Sequence, residues 1–281
     1  MARASDSIRL LRDATSGAEA IRARFAGHAY DLHRHDDWLV GVTDHGIQDF
    51  HCRGARRRST PGRVILIEPQ EAHDGEAGDD DGFAYTMIYL PRTWVQRALG
   101  CESDAALGFR ATLADDGRLA RAVTSAFDTL AGTAWRLQSD AALDTVAACL
   151  RAQIGRMAPR SPAGRDATVA RRARERLLDA VEDDIGADEL ASAAGAADRF
   201  QLARAFRAAY GVAPHAWLVQ TRLLRARQLL ATGERPALVA ASCGFADQSH
   251  LGRWFRRAYG MTPAAYRARC TGVPDPHANI G

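Results

Sequence analysis

Three histidines have the side chains and spacing best suited to chemistry. His33 and His35 flank Arg34. In an extended segment alternate residues share a face, so the two imidazoles point the same way. His73 comes four residues after the stretch Pro61-Gly62-Arg-Val-Ile-Leu-Ile-Glu-Pro69. Three imidazoles meeting in one place can hold zinc, iron or nickel with one coordination position open. They can equally act as hydrogen-bonding groups toward a bound small molecule. Other dyads, Asp44/His45 and Asp49/His51, have no nucleophile pattern beside them, and no G-x-S-x-G elbow occurs. P-loop and G-x-G-x-x-G patterns are also absent, so nucleotide-dependent catalysis has no support. We expect no catalytic residues, no cofactor and no enzyme.

Short apolar runs broken by turn residues must position these histidines. Trp38–Val42, Arg63–Ile67 and Phe83–Leu90 are three such runs, punctuated by Pro61-Gly62 and Gly78-Asp-Asp-Asp-Gly82. Many short strands at this spacing predict an all-β barrel or sandwich up to about Leu90. Trp38, Tyr85 and Met87 join the histidines as candidate lining of a small-molecule pocket, with plain core packing as the alternative. The Asp79-Asp80-Asp81 run reads as a solvated hairpin loop. From Pro91 the period turns helical, with helices predicted over 93–99, 116–130 and 140–157. The breakers in Pro159-Arg-Ser-Pro-Ala-Gly164 predict a linker, and 168–270 reads helical.

Composition narrows the class. The chain has 281 residues, 47% of them hydrophobic and 25% charged, which argues against disorder and allows two domains. No apolar run approaches the ~18 residues of a membrane helix, and no apolar segment succeeds the charged start, so neither a span nor a secretory signal is expected. The five cysteines are odd in number, scattered and free of C-x-x-C, which predicts reduced thiols in a cytosolic protein. The net charge of +3 hides an asymmetry: from Ala196 onward twelve arginines face four acids, a formal +8, and the body before it carries −5. A basic end on a mildly acidic body suggests a nucleic-acid-binding module joined to something else.

That basic end contains a tandem repeat. Leu202-Ala-Arg-Ala-Phe-Arg-Ala-Ala-Tyr-Gly-Val-Ala-Pro214 recurs as Leu251-Gly-Arg-Trp-Phe-Arg-Arg-Ala-Tyr-Gly-Met-Thr-Pro263 at an offset of 49 residues. Upstream, Ala191 with Gly195 matches Ala240 with Gly244. Each copy reads as helix, glycine turn, helix: the alanine lets a second helix cross closely, the glycine takes the left-handed turn, and Asp198 or Asp247 caps the second helix. Leu202 with Phe206, and Leu251 with Phe255, lie at i and i+4 and face a core. Arginines remain for the outer face of each second helix, as major-groove readout requires. Between the copies, 214–231 predicts one helix of ~27 Å, with Arg222, Arg225 and Arg227 read as solvated or salt-bridged, and phosphate contact as the alternative.

The segment Leu190–Arg267 resembles the AraC/XylS family of bacterial transcription regulators, most clearly over Gly244-Phe-Ala-Asp-Gln-Ser-His-Leu-Gly-Arg-Trp-Phe-Arg-Arg-Ala-Tyr-Gly-Met-Thr-Pro263. The resemblance implies seven helices with two helix-turn-helix units joined by the long helix. It puts base contacts on Phe200, Ala203 and Arg204 in the first unit and on Gln248, Ser249, Gly252 and Arg253 in the second. The first unit departs from the pattern at Ala196-Ala197 and at Ala203, which has no polar reach. The expected DNA-binding set is therefore Arg199, Phe200, Gln201, Arg204, Arg207, Gln248, Ser249, His250, Arg253 and Arg257. Residues 20–90 resemble the family's cupin-like sensor through His33-Arg-His35 and Pro61–His73. The carboxylate usual in the first cupin motif is not in place, since Asp36 and Asp37 come too early.

The whole reads as α+β: a cupin-like effector-binding barrel (1–92), a helical dimerisation segment (93–158), a linker (159–167), a DNA-binding domain with two helix-turn-helix units (168–270) and a tail (271–281). It implies a cytoplasmic, effector-controlled transcription regulator. Expected partners are double-stranded promoter DNA, a small-molecule effector at His33, His35, Trp38, His73, Tyr85 and Met87, a second copy of the chain, and RNA polymerase if it activates. No membrane partner is expected. The alternative is a metal-dependent cupin enzyme or metal sensor, with His33, His35 and His73 as ligands, tethered to a DNA-binding module.

Overall fold

The computed structural model describes residues 6–103, 107–132, 134–156 and 164–271. The chain divides into two compact units.

The first unit opens with nine strands: β1 (Ser7–Arg12), β2 (Glu19–Phe25), β3 (His28–His33), β4 (Trp38–Gly46), β5 (Gln48–Cys52), β6 (Ala55–Ser59), β7 (Val64–Ile67), β8 (His73–Ala77) and β9 (Phe83–Leu90). Next come α1 (Arg92–Leu99), β10 (Leu107–Phe109), β11 (Leu113–Ala114), α2 (Gly117–Ala131), α3 (Arg136–Leu150) and β12 (Ile154–Arg156). A six-stranded sheet runs β1-β2-β9-β4-β7-β11, and a four-stranded one runs β3-β8-β5-β6. A hydroxyl bond joins them, Thr43 Oγ1 donating to Ser59 Oγ at 2.7 Å. The period-2 alternation of β4 and β9 gives the larger sheet two apolar faces. One carries Trp38, Val40, Val42, Ile88 and Leu90, which pack with Leu119, Val123 and Phe127 of α2 and Leu143, Val146 and Leu150 of α3. The other carries Leu39, Tyr85, Met87 and Tyr89, paired across strands as Leu39 with Tyr89, Gly41 with Met87 and Thr43 with Tyr85. Gly41 has a steric reason: a Cβ there would stand 2.5 Å from Met87 Cε.

Two of the three predicted helices here lie where the sequence puts them. Asp116 caps α2 by accepting from the backbone N–H groups of Arg118 and Leu119 at 3.1 and 3.0 Å. The third is displaced. The helix predicted over 140–157 begins at Arg136 and ends at Leu150. Gln138 Oε1 accepts the Trp135 N–H at 2.9 Å, and Arg136 pairs with Asp140, so a first turn forms upstream of the apolar stripe. Beyond Leu150 the chain extends instead, and β12 pairs with β10. Met157 and the predicted linker residues 159–163 lie outside the described residues, as do 272–281 of the tail.

The second unit is all helix among the described residues: α4 (Arg165–Asp179), α5 (Ala187–Ala194), α6 (Arg199–Tyr210), α7 (Pro214–Ala231), α8 (Pro236–Ser242), α9 (Gln248–Tyr259) and α10 (Pro263–Thr271). Pro214, Pro236 and Pro263 each start a helix, where a missing N–H costs nothing. Val169, Ala173, Leu177, Leu190, Leu202, Phe206 and Trp217 form the core around the first helix pair. Around the second, Val239, Leu251 and Phe255 are buried with Leu223, Leu230 and Tyr266. The long helix has the predicted limits, 214–231.

Candidate functional site

The histidines come together. His33 ends β3 opposite His73, which begins β8, and the two are register partners. His35 lies just beyond the strand. The three rings are buried, at 4%, 3% and 4% exposure for His33, His35 and His73. Their ligand atoms all lie within 4.8 Å of one another, the one such group of three found among the described residues. Ring centroids stand 4.7 Å (His33–His35), 4.5 Å (His33–His73) and 5.2 Å (His35–His73) apart. Two backbone carbonyls orient the set: His33 Nδ1 donates to Asp31 O at 2.8 Å and His73 Nδ1 to Glu71 O at 3.1 Å. With the proton on Nδ1, each presents its Nε2 lone pair to the cluster. His33 Nε2 and His35 Nε2 are 2.9 Å apart. Burial pushes the His73 imidazole down to about 4, so it is neutral at physiological pH.

Aromatic side chains surround the cluster. Tyr30 meets His33 edge-on at 5.1 Å, and Tyr89 meets His35 at 4.9 Å. Tyr30 continues into Phe25, Phe83 and Tyr85. Burial raises both tyrosine hydroxyls above their ordinary range, so Tyr30 and Tyr85 stay protonated. Gln48 Nε2 donates to Tyr30 Oη at 2.9 Å. Tyr85 and Met87 share this inner face. Trp38 does not: it lies among the residues packed on α2 and α3, edge-on to Phe109 at 5.0 Å, and so belongs to the helix-facing core. Tyr30 escapes a reading of the sequence. The pairing of β3 with β8 shifts between Tyr30 and His33, and that bulge puts residues of opposite parity on one face.

In the second unit the repeat extends to atomic detail. Gly195 and Gly244 adopt φ of 71° and 73°. After each, the next N–H bonds back, Ala196 to Ala191 O at 2.9 Å and Phe245 to Ala240 O at 3.0 Å. A Cβ at Gly244 would stand 2.8 Å from Val181 O. Asp198 Oδ1 accepts the Gln201 N–H at 2.6 Å, and Asp247 Oδ1 accepts the His250 N–H at 2.6 Å. Gln201 and His250 occupy the same place in the two copies and turn toward the fold. Gln201 Oε1 accepts the Ala197 N–H at 2.7 Å and its Nε2 donates to Asp166 at 3.0 Å. His250 Nε2 accepts the Trp254 indole N–H at 2.9 Å, and Phe245 meets the ring edge-on.

The residues left exposed on the second helix of each copy are also in register. Arg199, Phe200, Arg204 and Arg207 are exposed on α6, and Gln248, Ser249, Arg253 and Arg256 on α9. Phe200 is 62% exposed, and the Arg199 guanidinium lies 5.1 Å from its ring centre. Arg256, the counterpart of Arg207 by the 49-residue offset, is absent from the expected set, although the repeat itself points to it. Arg257 is exposed one position further along α9. On α7, Arg222 donates to Val181 O and Asp183 O at 2.7 and 2.8 Å, Arg225 pairs with Glu182 at 2.7 Å, and Arg227 is buried over Tyr266. These three brace the fold.

Comparison with known proteins gives two family models in chain order: an AraC-like ligand-binding domain over residues 16–147 and a helix-turn-helix domain over residues 190–269. No curated protein matches the chain. Among solved structures, unsaturated-fatty-acid-bound ToxT from Vibrio cholerae strain SCE256 is 13% identical over 96% of each chain, with a TM-score of 0.56. ToxT from Vibrio cholerae O395 is 11% identical over 96% of this chain and 98% of that one, with a TM-score of 0.53. The DNA-binding domain of AdpA, a global transcriptional factor solved with a target DNA, is 35% identical over 36% of this chain and 90% of that one, with a TM-score of 0.33. The ToxT likeness shows the two-domain fold. Carrying both domain models in this order, the chain belongs to the AraC family of transcription regulators, in which a ligand-binding domain is joined to a helix-turn-helix DNA-binding domain.

Proposed function

We propose that the chain is a cytoplasmic homodimer that binds promoter DNA through α6 and α9 and responds to a small molecule held on the inner face of its strand-rich unit. It has no catalytic step. It contacts RNA polymerase if it activates. The observation that carries the DNA reading is the register of the repeat. The same turn twice leaves the same outward positions bearing arginine: 204 with 253, and 207 with 256. Arg253, Gln248 and Ser249 read base edges in the second half-site, and Arg204 with Arg199 does so in the first. Phe200 offers an apolar contact of the kind that suits a thymine methyl group. Arg207, Arg256 and Arg257 neutralise phosphates.

For the effector, we read His33, His35 and His73 as the polar end and Tyr85 and Met87 as the apolar wall. The fold's neighbour ToxT is seen with an unsaturated fatty acid; in this chain the inner face, with histidines at one end and Tyr85 and Met87 beside them, suits a small molecule with an apolar body and one polar end. Trp38 has no part in this site. A mobility-shift assay on the DNA upstream of the protein's own coding sequence, with and without candidate metabolites, tests the proposal. A sequence-specific shift altered by one metabolite class supports it, and a shift insensitive to DNA sequence contradicts it.

A further inference from the structure

We propose that His33, His35 and His73 bind one divalent transition-metal ion, and that the ion's open coordination positions take an anionic oxygen group of the effector. The inference rests on the reading of this inner face as the effector site and gives that site a cofactor and a ligand class.

The geometry carries it. At the usual zinc–imidazole distance of ~2.0–2.1 Å, two adjacent ligand nitrogens stand roughly 3.0–3.4 Å apart. His33 Nε2 and His35 Nε2 are already 2.9 Å apart, and all three ligand atoms fall within 4.8 Å of one another. Metal-bound histidine characteristically donates its other ring nitrogen to a carbonyl or carboxylate, which fixes the tautomer and aims the lone pair. His33 and His73 each make that bond, to the carbonyls of Asp31 and Glu71. An ion here takes the place of the proton now shared between His33 and His35, and that proton moves to Nδ1 of His35.

The donor set selects the ion. Three imidazoles, with no thiolate or carboxylate in the group, suit zinc, nickel, copper or iron and not magnesium or calcium. Three neutral ligands leave the ion's double positive charge uncompensated inside a buried aromatic surround. A carboxylate or similar oxyanion completes both charge and coordination, whereas an uncharged apolar effector does neither. The buried thiol nearest in register is Cys52, paired with His73 across β5 and β8, and it does not belong to the group of converging ligand atoms.

The test uses the full chain, stripped with a chelator and then dialysed against Zn²⁺ or Co²⁺. The expected result is one ion retained per chain after gel filtration. Co²⁺ should give weak visible bands without thiolate charge-transfer absorption, and the bands should shift on addition of azide as an anion probe. His73→Gln and His35→Gln, each checked by circular dichroism, should lose the retained ion. If the variants fail to fold, the wild-type Co²⁺ spectrum decides. No retained ion, thiolate bands, or an ion retained undiminished by folded His73→Gln overturns the site; Co²⁺ bands that ignore azide overturn its anion-facing role. A DNA shift on the same samples separates the two readings. Wild-type DNA binding without any retained ion rejects the metal alone, whereas an ion-loaded protein that binds no DNA rejects the regulator.

Discussion

On the proposed function, individual side chains divide into those that read and those that hold. Arg253 is exposed near the start of α9, and its replacement by alanine should cost ~1–3 kcal/mol of specific binding, concentrated at one base pair. Base-by-base competition with substituted duplexes checks this; a preference unchanged at every position would remove Arg253 from the readers. His250 behaves differently because its ring accepts from Trp254. His250→Ala should lower stability by about 1 kcal/mol and weaken all duplexes alike, visible as a lower thermal midpoint with an unaltered base preference. In the first unit, the Arg58 and Arg56 guanidiniums beside the buried Asp49 carboxylate hold it below the usual carboxylate range. A lowered folded pKa means stability present above the ordinary value of ~3.9 and lost as pH falls through the folded one. Asp49→Asn should therefore destabilise at neutral pH by about 1–2 kcal/mol, given that both arginines are solvent-screened, and soften the acid limb of the stability curve.

At the scale of elements, legibility tracks local signals. The limits of α7 are readable because Pro214 opens it and Gly233 lies just past its end. Tyr85, Met87 and Tyr89 fall on one face because β9 is regular. Trp38 departs from the expected pocket wall because along β4 it shares the face of Val40 and Val42, which packs on α2 and α3, while Leu39 takes the inner face opposite Tyr89. The start of α3 is hidden because the Trp135–Gln138 cap precedes any apolar stripe, and Trp135 itself is 82% exposed. Turns and core residues then carry the element-level predictions. Gly244→Ala forces a Cβ into a left-handed position 2.8 Å from Val181 O and should cost well over ~1 kcal/mol. Phe255→Ala, at a fully buried ring packed on Tyr266, should cost ~3–5 kcal/mol. Chemical denaturation measures both, and wild-type midpoints would show that the second helix pair is held together by other contacts.

On the scale of the whole molecule, the charge asymmetry and the repeat express one design. On the proposed function, the basic end supplies affinity through phosphate neutralisation, and the paired outward helices supply discrimination. Convergence of three histidines from two separate segments is legible only in part: spacing joins His33 to His35, but only the pairing of β3 with β8 brings in His73. The most direct test of the account is selection of the full chain on a randomised duplex pool. We predict enrichment of two short conserved blocks about one helical turn apart, ~10 base pairs, with Arg253→Ala erasing preference at a single position of one block. Recovery of no preferred sequence by the folded protein would contradict the account.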